Sequence, residues 1–277
     1  KADEYEENRH FFIAQYFRDN YEQSLNKLPF VGAQTVINKI EVWVTNKTRQ
    51  TEEVREIVAF QDLGETNKIY NTAHVFSSSG TYPENKANNL YNIITRSPNS
   101  GDFRDPSRCI SFLESNGFQA VDDFEKVSAR KLAPTEYTFN PQLGYISLNQ
   151  QLRPDEVLGV AIQYTVNGAV HQIGEFATDL PPLADTTKTK DQILALKMLK
   201  ATSIRTTEPI WNLMMKNVYS LGAYNISPDQ FIFDIYYIDP DGGQKRYLSD
   251  AGNITGKQLL HVLNLDNLNN QLEPQPD

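Results

Sequence analysis

The sequence predicts an α+β fold in which helix plus antiparallel β-hairpin units flank a β-rich central unit, with a weak internal duplication. Three patterns carry this prediction. Apolar residues recur every three or four positions over Glu6–Leu28, which is typical of an amphipathic helix. Apolar and polar residues alternate over Asn38–Thr45, which is typical of a half-buried strand. Asn167-Gly168 lies between two alternating runs and is the pair that a type I′ hairpin turn favours.

The first predicted unit is a helix followed by two strands. The apolar stripe of the helix is made by Phe12, Ile13, Tyr16, Phe17, Tyr21, Leu25 and Leu28. Pro29 and Gly32 end the helix, since both residues disfavour its continuation. Asn38–Thr45 and a return strand at Arg55–Phe60 complete the unit.

The middle of the chain is predicted to turn from loops to strands. Ile69–Asp105 is expected to be a surface excursion, interrupted by loops at Ser77–Gly80 and Ser97–Gly101. Short helices are predicted within it at Ala87–Thr95 and after it at Pro106–Asn116. Five strands are predicted after it, at Phe124–Leu132, Glu136–Asn140, Leu143–Leu148, Val157–Val166 and Ala169–Phe176.

The last part of the chain is predicted to repeat the opening order. An apolar helix at Pro209–Leu221 precedes a strand at Phe231–Ile238, a turn at Asp239–Gly243 and a partner strand at Gln244–Leu248. A further helix is predicted at Thr255–Leu263.

Three regions follow from these elements. Residues 1–180 are predicted to hold the first helix–hairpin unit, the loop excursion and the antiparallel β unit. Residues 181–208 are predicted to be a linker or connecting segment, because Pro181-Pro182 and a polar run follow the last central strand. Residues 209–277 are predicted to hold the second helix–hairpin unit and a truncated tail.

Charge and hydropathy exclude several classes of protein. The chain of 277 residues has 26 Lys and Arg against 35 Asp and Glu, a formal net charge of −9, and no dense basic cluster. Nucleic acid is therefore not expected as a partner, because binding phosphates requires concentrated basic residues. The longest apolar run, Val157–Val166, is too short to span a membrane. Because the chain begins at Lys1, we expect it to be a processed or excised piece.

Enzymatic motifs are not found. The single cysteine, Cys109, has apolar neighbours and is interpreted as a small buried hydrophobe. His10, His74, His171 and His261 lack the spacing of a metal site. The sequence holds no Gly-x-Ser-x-Gly elbow, phosphate loop or dinucleotide fingerprint. We therefore expect no enzymatic activity and no cofactor, and we assign no catalytic, cofactor-binding or metal-binding residue.

Two oxygen-rich stretches are weaker candidates for calcium. Asp239-Pro240-Asp241-Gly242-Gly243 resembles the start of a calcium loop but lacks the later ligands, so a β-turn explains it better. Leu265–Asn270 is interpreted as a solvated loop, with a calcium role left open.

Aromatic residues leave an alternative open. The stripe Phe12–Tyr21 is interpreted as core and alternatively as a peptide-binding face. An exposed edge at Arg55–Phe60 would equally accept an added strand. Trp43, Trp211 and the strand Phe231–Ile238 would line a stacking site in a free-standing binding protein.

Three groups of contiguous residues carry a family resemblance: Arg9–Arg18 with Ile40–Asn46, Asn140–Asn149 with Asp155–Leu158, Gln163–Thr165 and Gly174–Phe176, and Trp211–Tyr224. Together they resemble the SprA/Sov family of gliding-motility and secretion proteins of Bacteroidetes. Such proteins are the outer-membrane translocon of the type IX secretion system, a very large β-barrel with soluble insertions. The resemblance implies that this chain is one such insertion, a SprA N-type domain.

The resemblance implies a non-catalytic structural or interaction domain of that translocon. Its implied partners are the rest of the parent barrel, accessory outer-membrane secretion proteins and transiting secreted proteins, with no nucleic acid. The implied location is the cell outer membrane, with this segment not membrane-embedded and facing the periplasm, the barrel lumen or the cell surface. The alternative is a periplasmic or cell-surface carbohydrate- or peptide-binding module.

Overall fold

The computed structural model describes residues 4–27, 30–47, 53–78, 80–96, 100–180, 192–203, 205–222, 227, 232–263, 267–268 and 274–275. The chain divides into two compact units. The first unit comprises Lys1–Tyr21 and Ala33–Val218, and the second comprises Glu22–Gly32 and Tyr219–Asp277.

Helices and strands are mixed along the chain, in agreement with the predicted α+β class. The strands of the first unit are β1 His10–Phe12, β2 Thr35–Thr45, β3 Val54–Phe60, β4 Phe124–Lys131, β5 Tyr137–Asn140, β6 Tyr145–Leu148, β7 Leu158–Val166, β8 Ala169–Ile173 and β9 Leu194–Lys200. Those of the second unit are β10 Tyr237–Asp239, β11 Gly243–Lys245, β12 Asn267–Leu268 and β13 Pro274–Gln275. The helices are α1 Gln15–Leu25, α2 Leu90–Thr95, α3 Ser100–Arg104, α4 Cys109–Ser115 and α5 Leu259–Val262, with 3-10 turns at Pro209–Leu213 and Gly252–Ile254.

Five strands of the first unit form a closed sheet. The order is β2-β4-β3-β9-β7, and β7 pairs back onto β2, while β8 pairs with β7 as a sixth strand. Only β3 and β9 are parallel neighbours, and the other pairs are antiparallel. Closure leaves the five strands without a continuous open edge.

The interior of the closed sheet is filled by side chains from all five strands. They are Trp43, Ile57, Ala129, Ala161, Leu194 and Leu196, joined by Phe176 and Leu180 from the segment after β8. Small residues make room for the Trp43 indole, which is fully buried. At Gly159 a Cβ atom would lie 3.2 Å from Leu196, so the backbone of β7 approaches β9 closely there.

A second sheet packs beside the closed one. Its order is β1-β6-β5, antiparallel throughout. Its buried residues Phe11 and Ile146 join outward-facing residues of the closed sheet, such as Val160 and Tyr164, in the largest hydrophobic cluster. Helix α1 contributes Phe17 to this cluster, with its ring centroid 5.8 Å from that of Tyr164.

A third cluster lies under helices α2 to α4. Phe60 of β3 and Phe124 of β4 pack there against Phe103, Leu113 and Phe118. The predicted surface excursion thus contains buried residues as well as loops, because α2 and α3 cover this side of the closed sheet.

The predicted helix Glu6–Leu28 is wrong in its first half. Residues His10–Phe12 form β1 on β6, and the helix begins only at Gln15. The backbone N–H of Ile13 donates to the carbonyl of Gly144 at 3.0 Å. This bond extends the contact with the sheet by one residue, so the helix starts only after it. A Phe11-Phe12 pair suits a strand as well as a helix, and a partner strand decides between them.

The predicted pairing of the two early strands is also wrong. Strands β2 and β3 both exist, but β4 lies between them and pairs with β3 along its whole length. Strand β3 pairs with β9 on its other side over Ile57–Phe60, so this stretch offers no open edge for an added strand.

The predicted connecting segment contains a strand of the closed sheet. Within residues 181–208, Leu194–Lys200 forms β9, which is buried along its whole length between β3 and β7. A strand covered on both faces loses its alternation of apolar and polar residues, so the pattern is not visible in the sequence.

The later elements are shorter than predicted. The helix predicted over Pro209–Leu221 is a single 3-10 turn to Leu213, because Met214 then pairs with Phe11 of β1. The strand predicted over Phe231–Ile238 is β10, and Phe231 lies outside the described residues. A repeated helix–hairpin unit is therefore not seen in the described part of the chain.

The predicted hairpin at Asn167-Gly168 is confirmed. The φ angles of 49° at Asn167 and 81° at Gly168 are both positive, as a type I′ turn requires, and β7 pairs with β8 across it. Short helices in the predicted places, α2 and α4, and strands β4 to β8 are also confirmed.

Candidate functional site

A buried ion pair lies where α1, β9 and the loop after β3 meet. The ammonium of Lys197 lies 2.8 Å from Oε1 of Glu65, and their side chains are 1% and 3% exposed. Lys197 also donates to the backbone carbonyl of Gln61. Both Glu65 oxygens accept from the backbone N–H of Gln15, the first residue of α1, at 3.2 Å. The carboxylate therefore caps a helix from a distant loop.

Burial dominates the electrostatics of this pair. Loss of solvent raises the pKa of Glu65, and the nearby Lys197 ammonium partly offsets that rise. The same burial raises the pKa of Asp62, whose carboxylate accepts the backbone N–H groups of Tyr70 and Asn71 at 2.8 and 2.9 Å. The two carboxylates are thus compensated by Lys197 and by backbone N–H groups of the same chain, which favours a structural role.

A second buried ion pair ties α2 and α3 to β9. The guanidinium of Arg104 forks onto Glu175, with one nitrogen 2.5 Å from Oε2 and the other nitrogen bonded to Oε1. Glu175 also accepts from the Tyr91 hydroxyl at 3.0 Å and from the Ala195 backbone N–H at 2.9 Å. Burial, and then the charge of Glu175, raise the pKa of Tyr91.

A second lysine of β9 is buried among backbone carbonyls. Lys200 is 1% exposed and donates to the carbonyls of Pro154, Glu156 and Ala201 at 2.9, 2.8 and 3.2 Å. Burial lowers the pKa of Lys200. Sequence reasoning missed both lysines, and the only signal was their place in an otherwise apolar run, Leu194–Lys200.

The arrangement that most resembles a catalytic triad is a row of hydrogen-bonded side chains at β1 and β6: Ser147, His10 and Glu6. Nδ1 of His10 lies 2.8 Å from Oγ of Ser147, and Nε2 lies 2.7 Å from a carboxylate oxygen of Glu6. The other Glu6 oxygen accepts from Arg9 at 2.6 Å. Sequence reasoning placed His10 in a helix and missed this order of Ser, His and Glu.

The geometry around Ser147 favours a structural clamp over acyl transfer. Ser147 lies in the middle strand, paired with His10 on one side and Thr138 on the other. Its backbone is therefore engaged in the ladder and does not offer the N–H that an oxyanion hole needs. The hydrogen bonds instead fix β1, only three residues long, onto β6.

The other histidines lie apart. His171 bonds to Glu84 at 3.0 Å and stacks on Tyr164, His74 packs against Gly117, and His261 lies in α5. Among the described residues, no group of three or more His, Cys, Asp or Glu side chains could hold a metal ion.

Cys109 lies in the cluster under helices α2 to α4 and is fully buried, so the prediction of a small buried hydrophobe is confirmed. Burial raises the pKa of its thiol to about 12, and the neutral thiol is a poor nucleophile at neutral pH.

The aromatic residues of the alternative binding site are not brought together. Trp43 is fully buried inside the closed sheet, so its predicted role in a stacking surface is wrong. Trp211 is partly buried against the largest cluster. Of the stripe Phe12–Tyr21, Phe12, Ile13 and Phe17 are buried, as the core interpretation predicts.

The turn interpretation of Asp239–Gly243 is confirmed. The Asp239 carboxylate accepts from the Lys245 ammonium at 2.6 Å and from the Asp241 backbone N–H at 3.1 Å, and β10 pairs with β11 across the turn. Of the second oxygen-rich stretch, Leu265–Asn270, only residues 267–268 lie within the described residues.

Lys216 lies over the ring of Trp211, with Nζ 4.6 Å from the ring centroid. Its ammonium donates to the backbone carbonyls of Trp211 and Met214 at 2.7 and 2.9 Å. Burial, with a smaller effect of Arg18, lowers the pKa of Lys216 to about 8. The contacts with carbonyls and ring favour the cation but do not restore its hydration.

We expect Lys216 to be acylated with an unusual pH profile. Its rate of acetylation by an N-hydroxysuccinimide ester should level off above about pH 8, because the amine is then mostly neutral. Lys245 is the control, since its bond to Asp239 raises its pKa and its rate should keep rising. Mass spectrometry of peptides from timed reactions measures both, and parallel profiles would contradict the shift.

No helix in the described part of the chain combines the length and the apolar character that crossing a membrane requires.

The network of Glu6, His10 and Ser147 and the carboxylate of Glu65 lie within a region that matches a known family. A family model, SprA_N, described as a motility related/secretion protein, matches residues 1–153, more than half of the chain. That range includes the sheet β1-β6-β5, helix α1 and Glu65. A comparison with curated proteins finds no match. The chain therefore belongs to the SprA N-terminal family of motility-related and secretion proteins.

Proposed function

We propose that this chain is a non-catalytic structural and interaction domain of an outer-membrane protein-secretion translocon, of the type IX system that also serves gliding motility in Bacteroidetes. The observation that carries the proposal is the family match over residues 1–153. The proposed partners are the rest of the parent protein, accessory outer-membrane secretion proteins and the secreted proteins in transit. The proposed location is the outer membrane, with this domain as a soluble insertion.

The buried ion pairs and hydrogen bonds of the first unit support a structural role. The carboxylates of Glu65 and Glu175 and the ammonium of Lys200 each contact several groups on different elements. Such contacts fix the relative positions of strands and helices, at a cost in desolvation. A domain held in this way offers a rigid surface to its partners.

The test is a blot of fractionated source cells with an antibody raised against residues 1–277. We expect a band many times larger than 31.6 kDa in the outer-membrane fraction, absent from a strain that lacks the gene. A band near 31.6 kDa in the soluble fraction would reject the translocon and leave a free-standing binding module as the better explanation.

A further inference from the structure

Lys216 is a half-buried lysine with no carboxylate partner in the described part of the chain. It follows the 3-10 turn Pro209–Leu213, and its ammonium donates to the backbone carbonyls of Trp211 and Met214 at 2.7 and 2.9 Å. Its Nζ also lies 4.6 Å from the centroid of the Trp211 ring. Among the described residues, no Asp or Glu forms an ion pair with it. The amine is therefore held in place without a negative charge beside it.

Partial exposure distinguishes Lys216 from the two buried lysines of β9. Lys197 and Lys200 are each 1% exposed, so a solute in water does not reach their amines. Lys216 keeps part of its side chain at the surface, and the next residue, Asn217, is exposed. Of these three lysines, Lys216 is the one that a small molecule can reach without unfolding of the sheet.

The surroundings of Lys216 activate its amine as a nucleophile. Burial, and then the charge of Arg18 on α1, lower its pKa to about 8, so that roughly half of the amine is neutral at that pH. A lysine that is desolvated and lies near a second cation is a known form of activated amine. Lys216 and Arg18 supply this arrangement from two different elements.

Arg18 indicates which electrophile suits this amine. Its ion pair with Asp19 at 3.2 Å joins two adjacent, partly exposed side chains and is therefore weak. Asp19 also accepts from the Lys68 ammonium at 2.7 Å, so it keeps a partner if Arg18 turns away. An arginine released in this way binds a carboxylate with two parallel hydrogen bonds. Acetylation or an aldehyde would leave Lys216 without a negative charge, whereas carbon dioxide converts it to a carbamate, which is a carboxylate.

We propose that Lys216 is a site of reversible carbamate formation with carbon dioxide, and that Arg18 is the counter-ion of the carbamate. The lone pair of the neutral Nζ attacks the carbon of carbon dioxide, an N–C bond forms, and the electron pair of one C–O π bond moves to its oxygen. The nitrogen then gives one proton to water, so the product carries one negative charge. The remaining N–H keeps a bond to one of the two backbone carbonyls. The proposal is independent of the proposed function.

The experiment exposes the chain 1–277 to isotopically labelled bicarbonate at a pH of about 8, traps carbamates with triethyloxonium and maps the peptides by mass spectrometry. We expect at least about tenfold more trapped carbamate at Lys216 than at Lys245. Lys245 is the control because its bond to Asp239 raises its pKa, so its amine is almost entirely protonated. Peptide mapping also separates Lys216 from the α-amino group of the chain, which forms a carbamate of its own.

Arg18→Gln tests the counter-ion. The variant should hold about threefold less carbamate at Lys216, the effect of one partly exposed ion pair. Loss of Arg18 also raises the pKa of Lys216, so acetylation of Lys216 is measured in parallel, and the carbamate should fall by more than the acetylation rate. Arg108→Gln is the matched control, since Arg108 is paired with Asp102 and its side chain is 70% exposed.

Four results would overturn the proposal. They are no carbamate at Lys216, equal trapping at Lys245, a carbamate in Arg18→Gln that falls no further than its acetylation rate, and a labelled adduct that survives removal of carbon dioxide before trapping. The same loss in Arg108→Gln as in Arg18→Gln would likewise reject Arg18 as the counter-ion.

Discussion

Lys197→Met is expected to lower the free energy of unfolding by about 3–5 kcal/mol, the range for removing one partner of a buried ion pair. The substitution keeps most of the side-chain volume in β9 but removes the ammonium that lies 2.8 Å from Glu65. The Glu65 carboxylate then stays buried at the start of α1 with only the N–H of Gln15 to compensate its charge. Chemical denaturation followed by circular dichroism measures the loss.

The loss should depend on pH in a defined direction. Burial already holds the folded-state pKa of Glu65 above its unfolded value. A carboxyl of this kind stabilises the fold below the unfolded pKa, and that contribution is lost as pH rises through the folded pKa. Without Lys197 the folded pKa rises further, so the deficit of the variant should shrink as pH falls from about 7 to about 5.

Two controls separate this effect from the loss of any lysine. Lys126→Met removes an ion pair with Glu56 across β4 and β3, where the side chains are 17% and 34% exposed, and should cost about 1 kcal/mol or less. Lys197→Met with Glu65→Gln removes both charges and should be more stable than Lys197→Met alone. A single variant as stable as the Lys126 control would show that the pair is not buried in solution.

Local patterns in the sequence predict the elements whose cause is local. Asn167-Gly168 needs only its own positive φ angles and two alternating flanks, and the structure has that turn. Strands β4 and β7 and helix α4 likewise appear where the periodicity predicts them. The polar turn after Asp239 follows from its own side chain and from Gly243 at a φ of 77°.

The errors arise where a distant segment decides the structure. Phe11 and Phe12 fit the pattern of an amphipathic helix. They form a strand because β6, more than a hundred residues later in the chain, pairs with them. Strand β9 carries Lys197 and Lys200, two residues that are usually exposed to solvent. In the fold, Lys197 pairs with Glu65 and Lys200 donates to three backbone carbonyls, so both are buried. Strand order in the closed sheet depends on which pairs match best, and no local window contains that information.

The buried ion pairs could not be predicted for the same reason. Glu65 and Gln15 are 50 positions apart, and Lys197 is 136 positions from the carbonyl of Gln61 that it contacts. In the sequence each is an ordinary charged or polar residue, and only burial in the fold makes its charge matter. Family resemblance, in contrast, depends on contiguous stretches such as Arg9–Arg18, so it can be identified without knowledge of the fold.

Gly144→Ala is expected to destabilise the first unit by about 2–4 kcal/mol, from backbone strain plus overpacking. Gly144 has a φ of +66°, where a side chain is strained, and a Cβ atom there would lie 2.0 Å from Cδ1 of Phe17. Its carbonyl accepts from Ile13 at 3.0 Å, so a shift of this backbone would also loosen the junction between β1 and α1. Phe17 is 3% exposed and packs on Tyr164, so it has little room to move.

Gly168→Ala isolates the two contributions. Its φ of +81° carries similar strain, but nothing lies within 4 Å of the added Cβ, so the cost should be about 1 kcal/mol. Adding Phe17→Leu to Gly144→Ala should cost less than the two substitutions separately, because the smaller side chain relieves the overlap while leaving a poorer core. Thermal unfolding of Gly144→Ala, Gly168→Ala, Phe17→Leu and the double variant measures these differences in stability. Equal losses for Gly144→Ala and Gly168→Ala would show that α1 does not pack its Phe17 ring against the start of β6.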